Sequence, residues 1–192
     1  MPVQKIKINY GKYGLIRFMG HLDTINLLFR ALRRTGIPLT YTSGFNAHIK
    51  SSFSPALPLG FSSDAEYLEL FLDNRVDTEK LKQDMQRQLP EGILLLGIER
   101  LPVVSKSLAR RMRAVEYEVN LEGFVRDSSC LEKAKDEKKV IDMKMGGDFI
   151  CNFVLAVEGG NSVSPRRVIG MLTGISEEDI PLLEFRRKKF YF

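Results

Sequence analysis

The sequence is poor in the residues on which most enzyme chemistry is built: it holds two histidines, two cysteines and no tryptophan in 192 residues. Two thiols are too few for the disulfide framework of a small secreted domain. Cys151 lies in the apolar run FICNFVLAV, where a small buried hydrophobe fits. No CxxC or CxxxCxxC spacing occurs around Cys130 or Cys151, so the chain does not by itself ligate an iron–sulfur cluster. His21 and His48 are the only imidazoles; a His-based metal centre would need both plus carboxylates, and no metal or cofactor is expected. The phosphate-binding patterns GxxxxGKS/T and GxGxxG and the nucleophile pattern GxSxG are missing too. No apolar run approaches the ~18 residues that cross a bilayer, and MPVQKIKINYGKYG lacks the apolar stretch of a secretory signal. The expected setting is cytoplasmic, away from membranes.

What is present is an ordinary globular composition, 44% hydrophobic and 28% charged, in a length that suits one domain or two small ones. The net charge of +5 is unevenly spread. Residues 1–60 carry eight basic groups (Lys5, Lys7, Lys12, Arg17, Arg30, Arg33, Arg34, Lys50) against one acid, Asp23. Residues 61–100 carry nine acids against five bases, and SKSLARRMR (105–113) and FRRKKFYF (185–192) are basic again. One side facing an anion is one reading of this asymmetry; charges scattered over solvated faces is the other.

Hydrophobic periodicity predicts alternating elements. VQKIKINYG (3–11) sets Gln4, Ile6, Ile8 and Tyr10 on one face of a strand, with GLIRFMG as its continuation past a Gly11 to Gly14 bend. From His21 to Thr35, Leu22, Ile25, Leu28, Phe29 and Leu32 recur at helical spacing until Gly36 and Pro38. LTYT (39–42) reads as a short strand, and 43–62 as a long loop with a brief strand at 51–55. A strand at 65–73, a helix at 77–89 capped by Asp77 and a buried strand at 92–101 follow. This β-α-β-β-α-β order suggests a ferredoxin-like sandwich. The second half repeats it: strand 114–122, a short helix near 127–138, strands 139–145 and 149–157, helix 165–173, strand 182–191. In SPRRVIGMLTG, Ser164 can cap the helix, Pro165 suits its first turn and Gly174 can end it. The expected fold is therefore α+β, with two ferredoxin-like halves (1–102 and 113–192) whose antiparallel sheets carry helices on one face. Residues 103–112 are the linker, in which LARRMR can form a helical turn.

Two motifs stand out. In RFMGHLD (17–23), His21 opens the first helix beside Asp23 and suits anion binding, proton transfer or metal ligation with His48; the plainer role is capping or packing. In SGFNAHIK (43–50), Gly44 supplies unusual backbone angles, Ser43 and Asn46 hydrogen bonds, His48 and Lys50 positive charge and Phe45 a flat ring. Charge for phosphate and a ring for a base are what nucleic acid or a phosphorylated cofactor requires. The competing reading is a folded Ω-loop whose Phe45 and Phe53 plug into the core. ALPLG (56–60) reads as a stiff connector, and EGGNSVSP (158–165) as a β-to-α connection. The expected binding face comprises Arg17, His21, Asp23, Arg30, Arg33, Arg34, Ser43, Phe45, Asn46, His48 and Lys50, with His21, His48 and Lys50 the candidates for catalysis.

RFMGHLD, ALRRTGIPL, YTSGFNAHIKSSFSPALPLGFSSDAEYLEL and LPEGILLLGIERLP, taken in order, resemble the radical-SAM-linked family, a domain fused to or encoded beside radical-SAM proteins in many bacteria. The resemblance spans most of residues 3–102 and returns at GGNSVSPRRVIGMLTG and RRKKFYF; Gly20, Ala47 and Ile49 stand where the family usually has serine and prolines. It implies a radical-SAM partner rather than a reaction. Three functions follow as expectations: an accessory module binding tRNA or rRNA for that partner, a protein-docking scaffold without RNA contact, and a metal-independent endoribonuclease using His21 or His48.

Overall fold

The alternation at the start of the chain is realised as β1 (Gln4–Lys12), in which Ile6, Ile8 and Tyr10 are buried in phase. The computed structural model describes residues 2–124, 139–158, 161–176 and 178–192. A 3-10 turn (Gly14–Phe18), α1 (His21–Arg34), β2 (Ser51–Phe53), β3 (Ser62–Leu72), α2 (Thr78–Gln86) and β4 (Ile93–Leu101) follow β1. α3 (Leu108–Arg111) then leads to β5 (Ala114–Asn120), β6 (Val140–Met145), β7 (Ile150–Glu158), β8 (Asn161–Ser162), α4 (Pro165–Thr173) and β9 (Phe185–Tyr191).

The protein is mixed α+β, built on one large, mostly antiparallel sheet in the order β4-β1-β3-β9-β5-β7-β6, with β2 added to β3 and β8 to β7. Among the described residues the one parallel pairing is β3 with β9, through Ser62–Arg186 and Ser63–Arg187. β9 takes the N-terminal end of one β3 edge and β2 the C-terminal end, at Leu68 to Leu70. The two halves thus meet edge to edge and share a sheet, instead of each keeping its own. Local punctuation works as read at α2, where Asp77 accepts from the amides of Glu79 and Lys80, and at α4, which Ser164 caps and Gly174 ends in the left-handed conformation.

Several expectations change. GLIRFMG does not continue β1: Gly14 at φ +57° turns the chain into the 3-10 turn, and the Tyr13 amide donates to the Gly92 carbonyl. LTYT makes only isolated bridges, Leu39 with Leu72 and Tyr41 with Ile49, because β3 ends at Leu72 and leaves it no longer partner. Leu22 points to solvent at 73% exposure; α1 buries Thr24, Leu28, Ala31 and Leu32. The LARRMR turn is α3. The helix expected near 127–138 lies outside the described residues.

Two apolar clusters hold the sheet. The first joins Ile6 and Ile8 of β1, Leu68 and Leu70 of β3, Leu28 and Leu32 of α1, and Leu81 and Met85 of α2. Each such side chain contributes about 1.5–3 kcal/mol when fully buried. The second joins Val115, Tyr117 and Val119 of β5, Phe153 and Leu155 of β7, and Val168 and Ile169 of α4. It also takes in Leu57, Phe61 and Ala65, which precede or begin β3. The ALPLG segment is therefore more than a connector: it carries first-half residues into the second core, where Phe61 stacks on Phe185 at 4.5 Å between centroids.

Two buried carboxylates on β3 fasten the arrangement. Glu66 and Glu69 are three residues apart on a strand and so face opposite sides of the sheet. Glu66 takes a 2.7 Å ion pair from Arg187 of β9 and hydrogen bonds from the hydroxyls of Ser54 and Ser63. Arg187 also donates to the carbonyls of Pro55 and Ala56 and to the Tyr117 hydroxyl, so the pair is fully solvated by protein groups. On the other face Glu69 pairs with Lys5 of β1 at 2.9 Å and with Arg111 of α3, while Lys5 also donates to Ser105 in the linker. Arg187→Met should leave Glu66 buried without its cation and cost about 3–5 kcal/mol in urea unfolding; adding Glu66→Leu should recover part of that loss. Unchanged stability in Arg187→Met would mean that the pair does not hold the halves.

Candidate functional site

The two ends of α1 present different surfaces. At its N-terminus, Gly20 takes an extended N-cap conformation with no side-chain cap, and Asp23 places a negative charge in the first turn, where the helix dipole favours it. His21 is half-buried, its ring edge-on to Phe53 at 6.0 Å; Phe53 in turn packs on Phe29. Beneath lies Lys12, almost wholly buried, whose ammonium donates to the Met19 carbonyl at 2.6 Å. Burial pushes the His21 imidazole pKa down; Glu66 opposes that shift, and Lys12 and Arg187 add to it. Burial also lowers the Lys12 pKa.

Next to this end, the 3-10 turn and the ALPLG segment interlock. The Gly60 amide donates to the Arg17 carbonyl, and Gly60, at φ +84°, leaves room for the Phe18 ring, which a Cβ would meet at 3.4 Å. Arg166, at the start of α4, donates to the Leu59 carbonyl at 2.9 Å and lies over the Phe61 ring. Arg17 lies over Phe18 and reaches Glu184 at 3.5 Å. Beyond the turn opens an apolar groove of ≈ 1130 Å³, lined by Tyr13, Ile16, Phe18, Met19, Leu89 and Leu94 among others, with Leu15 exposed beside Phe18.

At the other end, Arg30, Arg33 and Arg34 are exposed on the last turns of α1. A few residues on, Leu39 meets the C-terminal end of β3, and the chain folds back on itself. The Thr42 amide donates to the His48 carbonyl at 2.8 Å, the His48 amide to the Thr42 hydroxyl at 3.0 Å, and the Lys50 amide to the Thr40 carbonyl at 2.8 Å. These bonds and the Tyr41–Ile49 bridge make a narrow hairpin arm whose residues 41–48 are all exposed. Phe45 at its tip is completely exposed, so it does not plug the core; Phe53 does reach apolar neighbours. The Lys50 ammonium stands 4.8 Å from the Phe71 ring, and a cleft of ≈ 830 Å³ opens beside it, lined by Tyr41, Thr42, Ser43, Lys50 and Asp73 among others.

The predicted face is thus divided. Arg17, His21 and Asp23 lie at the N-terminal end of α1, Arg30, Arg33 and Arg34 approach or occupy its C-terminal end about 20 Å away, and Ser43, Phe45, Asn46, His48 and Lys50 belong to the arm. Among the described residues the ring contact of His21 is with Phe53, and no hydrogen bond, ion pair or ring contact joins it to His48 or Lys50. Among the described residues no three His, Cys, Asp or Glu side chains are grouped so as to hold a metal ion. Sequence reading missed Lys5, Lys12, Glu66, Glu69, Arg166 and Arg187. The available signal was phase: Glu66 shares a strand face with Leu68, Leu70 and Leu72, and Arg187 shares one with Phe185.

Fold and surface together define a mixed α+β protein with an exposed arm that carries Tyr41, Phe45 and His48. Its family is defined by sequence: the chain belongs to the uncharacterized proteins conserved in bacteria designated DUF2344, whose pattern matches residues 5–149. No curated protein matches the sequence. Among solved structures, the crystal structure of an unknown protein from Galdieria sulphuraria is similar over 98% of this chain and 99% of that one, at 14% identity and a TM-score of 0.31.

The lowered pKa of His21 has a consequence for stability. The unfolded chain, with an ordinary histidine pKa of about 6.5, binds the proton before the folded chain does. Stability is therefore retained above that pH and declines as pH falls below it. Urea midpoints at about pH 7.5 and about pH 5.5, on either side of that value, should fall further for the wild type than for His21→Gln; parallel losses would contradict this assignment.

Proposed function

We propose that this protein is an accessory module that binds RNA, either tRNA or rRNA, for a separate radical-SAM enzyme. The observation that carries the reading is the hairpin arm: an unsupported aromatic ring at its tip, hydrogen-bonding side chains beside it, and His48 and Lys50 toward its base, with the exposed arginines of α1 adding positive charge to the same half. Phosphate contacts supply affinity and exposed rings take bases, and this arm offers both chemistries without a buried competitor for either. Strand order adds support. Reading β4-β1-β3-β2 in the first half and β9-β5-β7-β6 in the second as ferredoxin-like is part of this proposal, and RNA-binding sheets often use that layout. The radical-SAM partner rests on the resemblance of RFMGHLD and SGFNAHIK to the radical-SAM-linked family.

A second reading, a protein-docking scaffold without RNA contact, is favoured by the apolar groove beside Phe18 and Leu15. An endoribonuclease has less behind it, because among the described residues no hydrogen bond, ion pair or ring contact joins His21 to His48 or Lys50, and the ring contact of His21 is with Phe53.

Fluorescence anisotropy with bulk tRNA across a salt series tests the RNA reading. Wild type should bind with a steep salt dependence, and Arg33→Ala, Arg34→Ala and Lys50→Ala together should flatten the log–log slope by about 2–3, the loss of three phosphate contacts. Binding that ignores both salt and the triple substitution would overturn it, and capture of a partner protein that survives nuclease and high salt would favour docking.

A further inference from the structure

We infer that the arm engages RNA where it is unpaired, with one base stacked on the Phe45 ring. This deepens the RNA reading proposed above and rests on it. The arm is pinned at its base by the Thr42–His48 and Thr40–Lys50 hydrogen bonds, so the residues between stand clear of the sheet in a defined place. Gly44 at φ +127° adopts a backbone conformation that other residues rarely take, and the turn it makes leaves the next side chain, Phe45, with no protein neighbour covering it. A ring held in water at the end of an ordered arm is a poor contributor to folding and a good surface for a flat partner.

The geometry selects the class of RNA. In an A-form duplex the bases are stacked on one another and the major groove is too deep and narrow for side chains, so a projecting phenyl ring has no face to meet. In a loop, bulge or single strand the bases can splay out, and each has a π-face that an aromatic ring can take. Asn46, next to the ring, carries both a donor and an acceptor for the edge of such a base. Tyr41, half-exposed on the arm, offers a second ring, and Lys50 lies at the arm's base within reach of a flanking phosphate.

The absence of native tryptophan makes the test direct, since Phe45→Trp creates a single-tryptophan protein whose emission reports on that ring alone. The probes are an oligouridylate and a blunt-ended RNA duplex of the same length, each titrated at low salt. The inference expects tryptophan quenching by oligouridylate but not by the duplex. It also expects Phe45→Ala to weaken oligouridylate binding about ten-fold or more, as loss of one stacked base does, while changing duplex binding less than about two-fold. Equal binding of both RNAs, no quenching and no effect of Phe45→Ala would overturn the inference and leave the RNA reading standing. If wild type binds neither RNA nor tRNA, the RNA reading itself falls.

Discussion

Arg187 and Glu66 meet where the two halves of the sheet meet, and most of what is distinctive about the molecule depends on that contact. An ion pair withdrawn from water is costly unless every remaining donor and acceptor is satisfied. Here the guanidinium reaches the Glu66 carboxylate, the Pro55 and Ala56 carbonyls and the Tyr117 hydroxyl, while the carboxylate accepts from Ser54 and Ser63. The partners come from β3, β5, β9 and the loop before β3. One guanidinium therefore fixes both the short parallel pairing of β3 with β9 and the course of a loop that would otherwise have no regular structure. On the opposite face Lys5, Glu69 and Arg111 tie β1 and β3 to α3 in the linker.

This frame determines what is left for function. Loop 54–61 is occupied: its carbonyls are taken by Arg187 and Arg166, and Leu57 and Phe61 are in the second core. The N-terminal end of α1 is half-enclosed around His21 and Phe53. The arm is different in kind. It is attached at both ends by backbone hydrogen bonds yet contributes only Ile49 to the core, and its polar and aromatic side chains face water. A rigid base and an uncommitted tip suit recognition better than catalysis, which needs reacting groups to converge.

Much of the framework was legible because it is local. The period of two in Ile6, Ile8 and Tyr10, the helical spacing of Leu28 and Leu32, and the Ser164, Pro165 and Gly174 signals of α4 each depend on neighbouring residues. The corrections concern relations that sequence proximity does not encode. Leu22 fits the helical pattern, but in the first turn of α1 nothing packs over it. LTYT has strand-like residues but no length of partner. Glu66 and Arg187 are separated by more than a hundred residues, and each sits in a segment whose composition suggests solvent; only their phase with Leu68 and Phe185 pointed inward. For the candidate site, the residue types in SGFNAHIK were readable. That His21 of RFMGHLD meets Phe53 and not the arm depends on how the chain folds back between Thr40 and Lys50.

The buried Arg187–Glu66 pair makes one frame of two halves that the sequence presents as separable. Native-state hydrogen exchange in rising denaturant measures this directly, by comparing the amides of Ile8 and Leu68 with those of Val119 and Phe153. The slowest amides of both halves should converge on one global opening at the same denaturant concentration. Two separate openings, with one half exchanging fully while the other stays protected, would contradict it.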